Sequence, residues 1–138
     1  MPVVRGGDRP VQRRGHGWPP LQKVATYESG TTATAVWRNW AGPGQEVRPH
    51  RHDVEEVILV VQGRMRATLD GEVHMLDEGD ALVVPPMVVH GFANPGPGDL
   101  AIVASFPSPA PQTLWEDEAD ATGLHLDQLA ARRPSSAP

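Results

Sequence analysis

The sequence predicts an all-β domain, a sandwich or jelly-roll barrel, followed by a short helical segment. Three observations predict it. Gly and Pro together supply 29 of the 138 residues (14 and 15), a turn density that suits short strands better than a helix bundle. About eight β-like runs separated by turn signals fill the 86 residues from 21 to 106. Between two alternating segments stands Asp70-Gly71, the strongest short-range hairpin signal, because such turns need both central residues at positive φ.

The elements follow in order. Residues 1–20 hold Pro2, Gly6, Gly7, Pro10, Gly15, Gly17, Pro19 and Pro20, with Arg5, Arg9, Arg13 and Arg14 among them. Such a stretch sustains neither a helix nor a long strand, so a flexible basic arm is expected. The runs are Leu21–Tyr27, Ala33–Trp40, Val54–Val61, Met65–Leu69, Glu72–Leu76, Ala81–Val84, Val88–Ala93 and Leu100–Phe106, which predicts one barrel over 21–108. Beyond Pro107-Ser108-Pro109, the residues Leu114, Trp115, Ala119, Leu126, Leu129 and Ala130 fall loosely at helical spacing. A helical segment is therefore expected over 109–133 and a disordered tail over 134–138.

Composition narrows the function. With 39% hydrophobic residues and no apolar run near the roughly 18 that span a bilayer, no membrane role is expected. Residues 1–20 lack the apolar stretch of a secretory signal, which predicts a cytoplasmic protein. Cysteine is absent, which removes disulfides, thiolate metal sites and cysteine nucleophiles. A net charge of −5 argues against nucleic acid as a partner.

The histidines carry the chemistry. His50 and His52 are two apart, so on a strand both point to one face, and Glu56 shares their parity. His90 lies in another strand, beyond two hairpins that can return it alongside. Three imidazoles and one carboxylate form a good set for a divalent first-row metal, and leave two of six positions open. His16, His74 and His125 lie outside this pattern and read as surface groups.

The spacing is specific. From Gly44 the chain runs five residues to His50, one to His52, three to Glu56 and six to Gly63. From Gly79 it runs five residues to Pro85, four to His90 and three to Asn94, with fifteen residues between the two blocks. These blocks resemble the paired motifs of the small single-domain cupins, RmlC-like jelly-roll barrels also described as double-stranded β-helices. The resemblance implies that His50, His52, Glu56 and His90 hold one divalent transition metal per chain: Fe, Zn, Ni, Mn or Co. One position departs from the motif: Met87 stands where these proteins usually have Gly, in a turn that favours positive φ.

Strand parity extends the site. Ile58 and Val60 continue the face of Glu56, Phe92 shares that of His90, and one of Trp37 and Trp40 faces the cavity. Met87 is expected at the pocket mouth, and Asn94 is expected to close a turn through its side chain. Val57, Leu59 and Val61 make the opposite face apolar too, which predicts a covering partner and hence a homodimer, the arrangement the resemblance also implies. Within the cupins, the expected function is a metal-dependent enzyme on a small, hydrophobic or aromatic substrate, polyketide-cyclase-like or dioxygenase-like. The alternative is a non-catalytic small-molecule-binding module.

Overall fold

Residues 3–116 are described by a computed structural model. They form eleven strands: β1 (Val11–Gln12), β2 (Leu21–Ala25), β3 (Ala35–Ala41), β4 (Glu46–His52), β5 (Glu56–Gln62), β6 (Met65–Leu69), β7 (Glu72–Leu76), β8 (Ala81–Val84), β9 (His90–Ala93), β10 (Leu100–Phe106) and β11 (Thr113–Trp115). Two antiparallel sheets face each other, in the orders β1-β2-β3-β10-β5-β8 and β11-β4-β9-β6-β7. The apolar core lies between them, with Ile58, Val60, Met65, Leu100, Ile102 and Phe106 buried. No helix among the described residues is long and apolar enough to cross a membrane.

Turn chemistry sets the strand boundaries. Asp70 and Gly71 adopt φ of 50° and 83° between paired Leu69 and Glu72, the two-residue hairpin that the dipeptide predicts. Gly63, between β5 and β6, sits at φ 79°, and a Cβ there would run into the Asp99 carbonyl. Asn94 ties a third turn: its Nδ2 donates to Ala41 O and Gly98 O, each at 2.8 Å, and its Oδ1 accepts from Gly96 N.

The two ends of the chain depart from the expectations drawn from composition. Residues 3–20, expected as a flexible arm, lie along the barrel: beside their own turns at Gly6–Asp8 and Gly15–Trp18 they find backbone and side-chain partners on β2 and at the start of β4. Val11 and Gln12 pair with Gln22 and Leu21. Gln22, only 3% exposed, donates from Nε2 to Gly6 O and Arg9 O and accepts from Arg38 Nε. At the other end, Thr113–Trp115 is a strand, not part of a helix; it pairs with His52, Arg51 and His50 on the open edge of β4. An ion pair of 2.7 Å between Arg51 and Glu116 clamps that edge. The remainder of the expected helical segment, 117–133, and the tail 134–138 lie outside the described residues.

β4 itself is absent from the hydrophobic runs. Its inward positions are His50 and His52, and Pro49 interrupts the backbone pattern, so the usual apolar alternation is inverted. The outer face of β5 and β8 is open in the single chain, with Leu59 39%, Val61 48% and Val83 53% exposed.

Candidate metal centre

Two sheets contribute the four ligand candidates. His50 and His52 alternate on β4 and point into the barrel, both buried. The chain then bends through Asp53–Glu55 and crosses to the other sheet, where Glu56 opens β5 facing them. His90 opens β9 directly opposite His50. One ligand atom from each of the four residues lies within 4.8 Å of the others, and all four residues are buried.

The backbone fixes how the imidazoles are presented. Nδ1 of His50 donates to Arg48 O at 2.7 Å, that of His52 to Gln112 O at 3.0 Å, and that of His90 to Val88 O at 2.9 Å. Carbonyl oxygens only accept, so each Nδ1 carries the proton and each Nε2 is left for the centre of the cluster. Gln112 is held in turn, its N–H donating to Asp53 Oδ1 at 2.9 Å.

That arrangement fits a divalent cation. Glu56 Oε1 lies 2.8 Å from His90 Nε2 and 3.4 Å from His52 Nε2. Burial alone would push the Glu56 carboxyl up, but the hydrogen bonds and charge of His52 and His90 outweigh it and hold it at about 2. Burial, then the neighbouring His90 and His52, lowers His50 to about 3. The carboxylate is therefore an anion and the His50 imidazole a neutral donor. Metals take both in these forms.

The same shifts predict the pH response of the metal-free protein. His50 falls from 6.5 to about 3 on folding, and Glu56 from 4.5 to about 2, so the unfolded chain takes up both protons first. Stability is then lost as pH falls through 6.5 toward 3, with Glu56 adding its share below 4.5. The melting temperature of metal-free protein is expected to decline steadily from pH 7 to pH 4 in thermal scans. A flat profile over that range contradicts the assignment.

A pocket of about 210 Å³ opens onto the cluster. Trp37, Ile58 and Phe92 line it, and Trp37 reaches His52 with 5.9 Å between ring centroids. Trp40 lies three residues on and so takes the opposite face, 37% exposed beneath Arg38. Val60 is buried in the core beyond the pocket, since two more residues along β5 carry it past the cavity floor. Met87 is not a lining residue either. It occupies the turn itself at φ 70°, where its N–H donates to His52 O at 2.8 Å.

Other lining residues escaped the strand-parity argument, among them Arg14, Trp18, Lys23 and Trp115. Trp18 and Trp115 meet edge to face at 5.1 Å, and Trp115 lies 4.7 Å from His50. Three of the chain's four tryptophans thus line one cavity, and the scarcity of other aromatic residues was the available signal. His74 lies on the exposed β7 and His16 is exposed, while His125 is outside the described residues.

A two-sheet antiparallel barrel with three histidines and a glutamate gathered inside defines a jelly roll whose centre fits a metal ion. The cupin-domain family profile matches residues 41–106, spanning all four ligand candidates. Protein SchB of Streptomyces halstedii is 33% identical over 107 residues, 73% of each chain. The chain belongs to the cupin family. It is also 33% identical to polyketide synthase CurC of Streptomyces cyaneus, over 74% of this chain and 65% of that one. Dimethylsulfoniopropionate lyase DddW of Ruegeria pomeroyi is 39% identical over 49% of this chain. The chain spans 43% of the lyase and 65% of CurC, less than two thirds of either. Among solved structures, polyketide cyclase RemF of Streptomyces resistomycificus shares the fold with a TM-score of 0.67 and 22% identity, over 90% of this chain and 94% of RemF.

Proposed function

We propose that this cupin is a metal-dependent enzyme that closes or rearranges rings in a small conjugated molecule, in the manner of a polyketide cyclase. One observation carries the reading: the His/Glu cluster forms one end of a pocket walled by Trp18, Trp37 and Trp115. Flat conjugated molecules gain most from indole walls, through offset or edge-to-face contacts. The likeness to CurC, a polyketide synthase by name, supports a polyketide as the kind of molecule handled.

The cavity of about 210 Å³ is smaller than the roughly 300–1,000 Å³ of pockets that engulf drug-sized ligands. A polycyclic substrate would therefore seat one end at the cluster and extend through the mouth. His50, His52, Glu56 and His90 would hold the ion, and a divalent metal supplies Lewis-acid polarisation of a carbonyl oxygen. The chain's own part is positional. Trp37 and Phe92 close the inner wall against water, and the three Nδ1–H···O bonds keep the imidazoles from turning.

A second copy of the chain is proposed to cover the open outer face of Leu59, Val61 and Val83, which nothing among the described residues covers. Light scattering on the purified protein is expected to read twice the 14.9 kDa chain mass, and a monomer overturns that pairing.

The test begins with metal analysis of freshly purified protein, followed by incubation of the loaded protein with linear poly-β-ketone substrates under mass spectrometry. Ring closure with loss of water and no oxygen uptake is expected. Oxygen consumed in step with turnover would make the protein a dioxygenase instead. Binding without turnover across such substrates would make it a binding module.

A further inference from the structure

The charge of the pocket runs against that of the chain. The protein carries a net charge of −5, yet among the described residues the pocket wall holds one carboxylate, Glu56, against two cations, Arg14 and Lys23. Glu56 is already engaged with His90 and His52. Among the described residues, neither cation has an acidic group within ion-pair distance, and neither the Arg14 guanidinium nor the Lys23 ammonium donates a hydrogen bond.

Both cations are held by aromatic faces, which orient them without consuming their N–H donors. The Lys23 ammonium sits 4.7 Å over the Trp37 ring, and Trp37 in turn contacts His52. The Arg14 guanidinium lies 4.4 Å from the Trp18 ring centre and 4.7 Å from that of Trp115. Trp115 also contacts His50, so both cations are one indole away from the ligand cluster. Lys23 is half-buried, and burial lowers its pKa against the opposing pull of Glu28. Lys23, kept short of water and without a hydrogen-bond partner among the described residues, is a cation that a ligand can satisfy, and Arg14 stands exposed at the mouth beside it.

We propose that the pocket's ligand is an organic anion: a carboxylate on a flat conjugated skeleton, with the skeleton against the indoles and the acid group drawn to Lys23 and Arg14. The inference deepens the cyclase reading and rests on it, because it takes the ligand to be a conjugated molecule seated beside the His/Glu cluster. Among the described residues, two cations beside a cluster whose one carboxylate is committed leave an excess of positive charge in the lining, with Glu28, which acts on Lys23, outside it. A neutral molecule of the same shape leaves that excess uncompensated.

The experiment is calorimetric titration of the metal-loaded full chain with 2-naphthoate and with its neutral counterpart of the same shape, 2-naphthamide. Wild-type protein is expected to bind the acid at least tenfold more tightly than the amide. Lys23→Met keeps the alkyl stem over Trp37 and Arg14→Gln keeps a polar chain at the mouth. Each is expected to cut the acid/amide ratio, and together they bring it within twofold while the amide affinity changes little. A loss of fold would weaken both ligands alike, so the ratio separates recognition from stability. If the amide binds wild-type protein as well as the acid does, the anion inference fails and the aromatic pocket stands. If the double variant keeps the full ratio, the preference belongs to the metal cluster and the assignment to Lys23 and Arg14 is wrong. If neither compound binds, the aromatic-pocket reading fails and takes this inference with it.

Discussion

Replacing His50 and His90 together with Ala is expected to abolish stoichiometric metal binding. The two residues face each other across the β4–β9 pair, so the double variant removes two of the four donors and opens one side of the cluster. Loss of a hydrogen bond to a metal-bound histidine typically costs about 10–100-fold in affinity, and losing two ligands outright should exceed about 10³-fold. His52 and Glu56 remain, but two donors do not hold a first-row ion against dialysis. Mass-spectrometric metal analysis after dialysis reads the result, with circular dichroism showing that the barrel persists. Retention of one metal per chain in the double variant would remove these residues from the ligand set.

Trp37→Ala is expected to cost about 3–5 kcal/mol of stability, the range for emptying a buried large aromatic site. The indole fills the space between Phe106, at 4.6 Å between ring centroids, and His52, so truncation empties both the core edge and the inner pocket wall. Trp37→Phe provides the decisive contrast. Among the described residues the buried Nε1 of Trp37 has no hydrogen-bond partner, so the phenyl ring loses volume but no bond, and the expected cost is below about 1.5 kcal/mol. Denaturant unfolding of the two variants measures the difference. Similar losses in both would show that the indole N–H is satisfied in solution.

Much of the site was legible because its logic is local. His50 and His52 share a face whatever barrel surrounds them, since strand side chains alternate with a period of two. The Asp70-Gly71 turn was equally readable, because both residues tolerate the positive φ that its geometry demands. Met87 was less so. Its turn carries the positive φ expected of a glycine, but its backbone, bonded to His52 O, is what serves the site, while its side chain stays out of the lining. β4 was hidden as a strand by the same histidines that place it in the cluster, for a strand whose inward face is polar has no apolar alternation to detect.

By itself the sequence determined the jelly roll, the His/His/Glu/His set and the turn-rich spacing that brings the set together. The turns and the shared face of His50 and His52 follow from short-range backbone geometry and strand parity, while the jelly roll and the joining of Glu56 and His90 to the set rest on the resemblance to the cupin motifs. Which tryptophan faces inward, where the Gly- and Pro-rich arm lies and what forms the pocket mouth were decided by tertiary structure. Trp18 and Trp115 are nearly a hundred residues apart, and their contact depends on the first segment finding partners on β2 and the last finding the open edge of β4. A free strand edge accepts any segment with unpaired backbone groups. The choice among segments is made by the packing of the whole barrel, which no local pattern records.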